Sequence, residues 1–164
     1  MPDPGRRFAD QNCSIARTLE IVGERWTFLV LREAFLGVRR FDQMQADLSI
    51  ARNILADRLQ TLVAAGILER RRYQDHPPRS EYRLTLMGLD LYPIVISLMR
   101  WGDRYQTEHG PPVVLTHRAC GREMTPVMAC PHCSEEVTAR DVTFAPGPGA
   151  VPETHPAVVA GRAR

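Results

Sequence analysis

Between Ile50 and Leu84 a helical repeat runs straight into two short strand-like stretches, and few folds accept that order. Leu55, Leu59 and Leu62 recur at helical spacing with Ala51 close to the same face, and Gly66 closes the helix expected over Ile50–Ala65. Ser49 stands at the N-cap position of that helix. Ile67–Tyr73 and Ser80–Leu84 read as strands, separated by the turn-rich stretch Asp75-His76-Pro77-Pro78-Arg79. A hairpin is thus expected to hang off the end of a helix.

Upstream, Ile15, Leu19 and Val22 mark one face of a helix beginning at Cys13, which Gly23 ends. A second helix is expected over Arg25–Leu36, with Trp26, Leu29, Val30 and Glu33 as its repeat and Gly37 as its stop. Arg39-Arg40-Phe41 follows, then a short helix over Asp42–Asp47. Helix, short helix, capped helix and hairpin is the order of a winged helix-turn-helix. In that architecture the second helix of the pair enters the DNA major groove and the hairpin tip reaches flanking backbone or minor groove. The fold class expected is therefore mainly α with a small β-hairpin.

On the wheel of Ile50–Ala65, Asn53, Ala56, Asp57 and Gln60 point away from Leu55, and Arg52 and Arg58 flank them. Asn53 and Gln60 can each make a two-bond contact to adenine, and the arginines can reach guanine or phosphate. Small Ala56 permits close approach to the groove. Asp57 repels phosphate, so it either restrains a neighbouring arginine or accepts from cytosine. On the helix alone an ordinary solvated face is the better account, since most such faces are only surface. The balance moves with the hairpin, where Arg70, Arg71 and Arg72 precede the Pro-Pro turn with His76 and Arg79, and Arg83 follows it. The net charge of +2 says little, but all 21 basic residues are arginine. Base composition of a GC-rich genome accounts for that; each cation is nonetheless a planar fork suited to phosphate or guanine. The expected DNA contacts are Arg39, Arg40, Ser49, Arg52, Asn53, Ala56, Arg58, Gln60, His76 and Arg79.

A last long helix is expected over Thr85–Tyr105. Its apolar residues Met87, Leu91, Ile94, Leu98, Trp101 and Tyr105 form a heptad seam. Such a seam faces either a partner helix in a dimer or the core of its own domain. Pro93 removes a hydrogen bond and predicts a kink near Leu89. The longest apolar run, Leu91–Met99, is too short to span a bilayer. No basic and apolar leader opens the chain, so a cytoplasmic protein without a membrane partner is expected.

From Cys13 to about Tyr105 the sequence closely resembles the HxlR-type regulators, relatives of the MarR winged-helix proteins. The matching stretches are Cys13 with Leu19, Gly23-Glu24-Arg25-Trp26-Thr27, Leu31-Arg32-Glu33 and Gly37-Val38-Arg39-Arg40-Phe41. They continue with Leu55-Ala56-Asp57-Arg58-Leu59, Leu62 and Gly66-Ile67-Leu68-Glu69-Arg70. Pro77-Pro78-Arg79-Ser80-Glu81-Tyr82-Arg83-Leu84-Thr85 and Trp101-Gly102 complete the set. The resemblance implies a homodimer whose first and last helices cross between subunits, bound to a pseudo-palindromic operator. It further implies a transcriptional regulator, a repressor in the first instance, answering to a small molecule or to thiol oxidation. Ala51 stands where the family usually has a small polar residue, and Arg52 is followed by Asn53 where a basic pair is usual; Arg25 replaces a usual lysine. Operator sequence therefore does not carry over. In several family members a cysteine at the position of Cys13 acts as a sensor of oxidants or electrophiles. A thiol at a helix N-terminus, with Arg17 one turn on, suits that chemistry, although a lone cysteine also serves as an inert small hydrophobe.

Three further cysteines cluster late, as His117-x-x-Cys120-Gly and Cys130-Pro-His-Cys133. Two knuckles separated by a strand-length insert are how a zinc ribbon offers four tetrahedral ligands, here His117, Cys120, Cys130 and Cys133 around a structural Zn2+, with His132 a competing donor. A redox-active pair and fortuitous cysteines are the alternatives, though no βαβ context for a thioredoxin-like site exists. The organisation expected is a flexible arm over 1–12, a DNA-binding and dimerisation domain over 13–106, a zinc-ribbon-like unit over 113–144 and a disordered Pro/Gly/Ala tail over 145–164. An enzyme is not expected: there is no nucleophile with a paired base and no carboxylate dyad. A module binding other proteins rather than DNA is the competing function class.

Overall fold

The computed structural model describes residues 11–152 and 154–159, so most of the expected arm and part of the expected tail lie outside the described residues. The order of elements through residue 84 follows the sequence. Four helices, α1 (Ser14–Val22), α2 (Arg25–Phe35), α3 (Phe41–Leu48) and α4 (Arg52–Ala64), precede an antiparallel hairpin of β1 (Leu68–Gln74) and β2 (Arg79–Leu84). The chain divides into two compact units at Val95/Ile96.

In the first unit the apolar faces of α2, α3 and α4 close on one another. Val30, Leu31, Met44, Leu55, Leu59 and Leu62 are fully buried, and Val22, Leu48, Ile50, Ile67 and Leu68 extend the cluster. The helical spacing of Leu55, Leu59 and Leu62 puts all three on the buried side of α4, each stabilising the unit by about 2–5 kcal/mol relative to alanine. The Glu24 carboxylate caps α2, accepting from the Trp26 amide at 2.8 Å. Glu33, read as part of the apolar repeat of α2, is buried, and Arg32 covers its carboxylate with two N–H donors at 3.0 and 2.6 Å.

Two expectations are corrected. Ser49 does not cap α4; it is the C-cap of α3, at φ 50°, and Ala51 holds the N-cap position without a side-chain hydrogen bond. Only Ser49, Ile50 and Ala51 join the two helices, so Ser49 must turn the chain while buried Ile50 anchors it. Nor is there one helix over Thr85–Tyr105. A single turn, α5 (Leu86–Leu89), is followed by α6 (Tyr92–Tyr105). Pro93 falls in the first turn of α6, where its missing N–H costs nothing, so it starts a helix instead of kinking one. The Thr85 hydroxyl donates to the Gly66 carbonyl at 2.6 Å and accepts from the Gly88 amide at 3.1 Å, fastening α5 to the root of the hairpin. Gly88 is buried so tightly that a Cβ there would lie 2.2 Å from the Ile67 carbonyl oxygen.

The second unit is sparser. Beyond Gly88 none of the described residues is buried. It holds a short hairpin with two residues in each strand, β3 (Leu115–Thr116) with β4 (Glu123–Met124), and an isolated bridge between Ala129 and Glu136. Arg100 of α6 donates to the Pro126 carbonyl at 2.8 Å and reaches the Glu136 carboxylate at 3.5 Å. A last turn, α7 (Pro156–Val159), falls within the expected tail. No helix among the described residues is long and apolar enough to cross a membrane.

Candidate nucleic-acid interface

The segment before α3 is tied to the hairpin. The Tyr82 amide donates to the Arg39 carbonyl at 2.8 Å, and Arg40 forms a bridge with Glu81. This fixes the start of the helix-turn-helix against β2, so that Arg40 and Arg52 from one side meet Arg70 and Arg79 from the other. The result is a cleft of about 590 Å³ in which those four arginines face one carboxylate, Asp42.

Aromatic rings hold two of the arginines in place. The Arg52 guanidinium lies 4.7 Å from the centre of the Phe41 ring, and that of Arg40 lies 5.2 Å from Tyr73. Arg52 also approaches Asp42 at 3.5 Å, but both side chains are well exposed and such a pair is weak. Tyr73 reaches the cleft because the register shifts between Arg72 and Gln74; without that bulge, strand alternation would turn it away from Arg70. The N-terminus of α4 carries no side-chain cap, so its first amides stay available as donors.

The remaining arginines of the hairpin are engaged locally: Arg71 with Glu69 at 3.3 Å, Arg72 with Asp75 at 3.1 Å and Arg83 with Glu81 at 2.7 Å. Arg70, which sequence reasoning did not place among the contacts, belongs to the cleft, and strand alternation separating it from Arg71 was the available signal. Arg58 is held differently from the other expected contacts. Its side chain is only 18% exposed, lies 3.8 Å from the Glu24 carboxylate and pairs with Asp57. It therefore straps α4 to the cap of α2. Asn53, Ala56 and Gln60 are exposed on the face of α4 opposite Leu55 and Leu59, and Arg39, Ser49, His76 and Arg79 are exposed as well.

The expected seam divides. Met87 lies in α5, and Leu91 packs against the core of the first unit. Ile94, Leu98, Trp101 and Tyr105 form an exposed stripe along α6, each 46–57% accessible, and α1 exposes Ile15 and Leu19. Cys13 is a half-buried free thiol at the N-cap of α1; the guanidinium of Arg17 reaches Asn12 at 3.4 Å.

The four residues expected as zinc ligands fall into two pairs. His117 Nδ1 is 3.3 Å from Cys120 Sγ. Cys130 lies beside Cys133, whose backbone N–H, helped by that of His132 and by the Cys133 thiol, holds the Cys130 thiol below its ordinary pKa. Among the described residues no three His, Cys, Asp or Glu side chains stand together as a ligand group.

Residues 21–110 match the family model of the HxlR-like helix-turn-helix. The chain is 50% identical over 148 residues to the HTH-type transcriptional regulator Rv3095 of Mycobacterium tuberculosis, covering 90% of this chain and 92% of that one. Among solved structures it is similar to PA1607, a candidate transcription factor, with a TM-score of 0.72 at 32% identity, over 80% of this chain and 92% of that one. It is also similar to the redox regulator HypR in its reduced form, with a TM-score of 0.52 at 31% identity, over 56% of this chain and 92% of that one. These relatives are transcriptional regulators, not enzymes.

Proposed function

Since this chain belongs to the HxlR-like helix-turn-helix family of transcriptional regulators, we propose that it acts as a homodimer, laying α4 in the major groove of a pseudo-palindromic operator and repressing transcription by occupying it. The observation that carries this reading is the cleft, where Arg40, Arg52, Arg70 and Arg79 converge from helix and hairpin beside the uncapped start of α4. Phosphates supply the negative charge such a cleft lacks, while exposed Asn53 and Gln60 on the same helix are free to read adenine edges. Dimerisation rests on the exposed apolar stripe of α6, with Ile15 and Leu19 of α1 as further exposed apolar side chains for a partner chain to cover.

The regulator answers to a small molecule or to modification of the Cys13 thiol. The second option is favoured by the place of Cys13 at the start of α1, where an added polar group would disturb the helix that also carries Ile15 and Leu19. The similarity to a redox regulator points the same way.

The test is a fluorescence-anisotropy titration on a duplex from the region upstream of the protein's own gene. Saturable binding that weakens with salt is expected, reduced at least about tenfold in the Arg52→Ala/Arg79→Ala double variant. Unchanged affinity in that variant overturns the DNA reading of helix and hairpin. Treatment with a thiol oxidant should release DNA from the wild type and not from Cys13→Ser; equal release from both removes Cys13 as the switch.

A further inference from the structure

The two late knuckles are built alike. In the first, the His117 amide donates to the Arg122 carbonyl at 2.9 Å and the Gly121 amide returns to the His117 carbonyl at 2.8 Å. In the second, the Cys130 amide donates to the Glu135 carbonyl at 2.9 Å and the Ser134 amide returns to the Cys130 carbonyl at 2.8 Å. In each, the residue after the second potential ligand is left-handed, Gly121 at φ 68° and Ser134 at φ 61°. Each turn is closed by antiparallel pairing, β3 with β4 in one case and Ala129 with Glu136 in the other. His117 thus occupies in its turn the place of Cys130, and Cys120 the place of Cys133.

We infer that His117, Cys120, Cys130 and Cys133 hold one structural zinc ion, each knuckle supplying two donors. Two features besides the cysteine spacing carry this. Ser134 is strained, because a side chain at positive φ is disfavoured, and such a turn persists only where something over-determines it. The unit that contains both knuckles buries none of its described residues, so apolar burial does not hold its short strands together. Units of this size are commonly stapled by disulfides or a metal, and three cysteines with His117 are the side chains here that suit a metal. One imidazole and three thiolates make a closed tetrahedral zinc set, with no position left for a reacting water. His132 lies inside the second turn, between two ligands, and has no counterpart of the Nδ1–Sγ approach that joins His117 to Cys120 at 3.3 Å. The ion's role is to join the two turns. This inference stands apart from the DNA reading.

The experiment is metal analysis of the full chain purified under reducing conditions, paired with cobalt substitution. About one zinc per chain is expected, and the cobalt form should show the visible absorption and sulfur charge transfer of a tetrahedral thiolate site. Cys120→Ser and Cys133→Ser should each retain less than about a tenth of the zinc, His117→Ala should lower it, and His117→Cys should restore it. His132→Ala should leave zinc content unchanged. Zinc below about a tenth per chain in the reduced wild type overturns the inference, as does full zinc in Cys120→Ser or a Cys130–Cys133 disulfide in the freshly purified chain.

Discussion

Arg79 and Arg71 sit on the same hairpin and carry the same charge, but only Arg79 lines the cleft; Arg71 is turned to Glu69 at 3.3 Å. Replacing each with alanine therefore separates contact with DNA from net charge. A protein that neutralises phosphates releases counterions, and each contact contributes about 0.9 to the slope of log affinity against log salt. A homodimer sets two hairpins on its operator, so Arg79→Ala should make the slope shallower by roughly 1.8. Between about 50 and 200 mM salt, the wild type should lose roughly tenfold more affinity than Arg79→Ala loses. Arg71→Ala removes the same formal charge, yet its slope should match the wild type within about 0.5, since the residue makes no phosphate contact. The measurement is anisotropy on one operator duplex at four or more salt concentrations. Equal slopes for the two variants would refute the reasoning, because charge alone, and not the cleft, would then govern binding.

If the chain dimerises through α6 as proposed, Leu98→Asp combined with Trp101→Asp should leave it monomeric in light scattering while the wild type is a dimer. Both side chains are about half exposed in the isolated chain, and losing their burial twice over should weaken association at least about 100-fold. Gly88→Ala should lower the urea midpoint by the equivalent of about 1–3 kcal/mol or more, because its Cβ would meet the Ile67 carbonyl oxygen at 2.2 Å; Gly147→Ala, which meets nothing within 4 Å, should be silent. The Asp141 carboxylate accepts from the Thr138 hydroxyl at 2.6 Å and its amide at 2.8 Å, which lowers its pKa. Its contribution to stability is therefore present above the ordinary carboxylate pKa and is lost as pH falls through the depressed folded value. Carboxyl NMR titration should find that depressed midpoint in the wild type and a higher one in Thr138→Ala.

Much of the first unit was legible because its signals are local. A helical repeat such as Leu55, Leu59, Leu62 needs only its own geometry to define a buried face, and the exposure of Asn53, Ala56 and Gln60 follows from the same wheel. The hairpin was legible for a similar reason, with turn formers between two strand-like stretches; its ends moved by a residue or so. The role of Ser49 was not. Serine before a helix signals a cap, but here the join between α3 and α4 is so short that the same residue has to provide the left-handed turn. The broken last helix was misread because Pro93 within an apolar run looks the same whether it kinks a helix or starts one.

Which arginines are available to DNA is a question of a different kind. Composition and patterning could show that the hairpin and α4 are rich in them. They could not show that Arg58 is occupied by Glu24, far away in the chain, or that Arg40 and Arg52 meet Arg70 and Arg79 across a cleft. The physical reason is range. Burial of a face is set by neighbours three and four residues away, while the partner of a charge is set by whatever segment the closed core brings within a few ångströms. Sequence alone therefore settled the order of helix, turn, helix and hairpin and the buried side of α4, but not that of α1, where Ala16 and Val22 are buried while Ile15 and Leu19 are exposed. The approach of α3 and α4 to the hairpin, made possible by the Tyr82–Arg39 hydrogen bond and the packing around Met44 and Leu55, selected the four arginines that form one site.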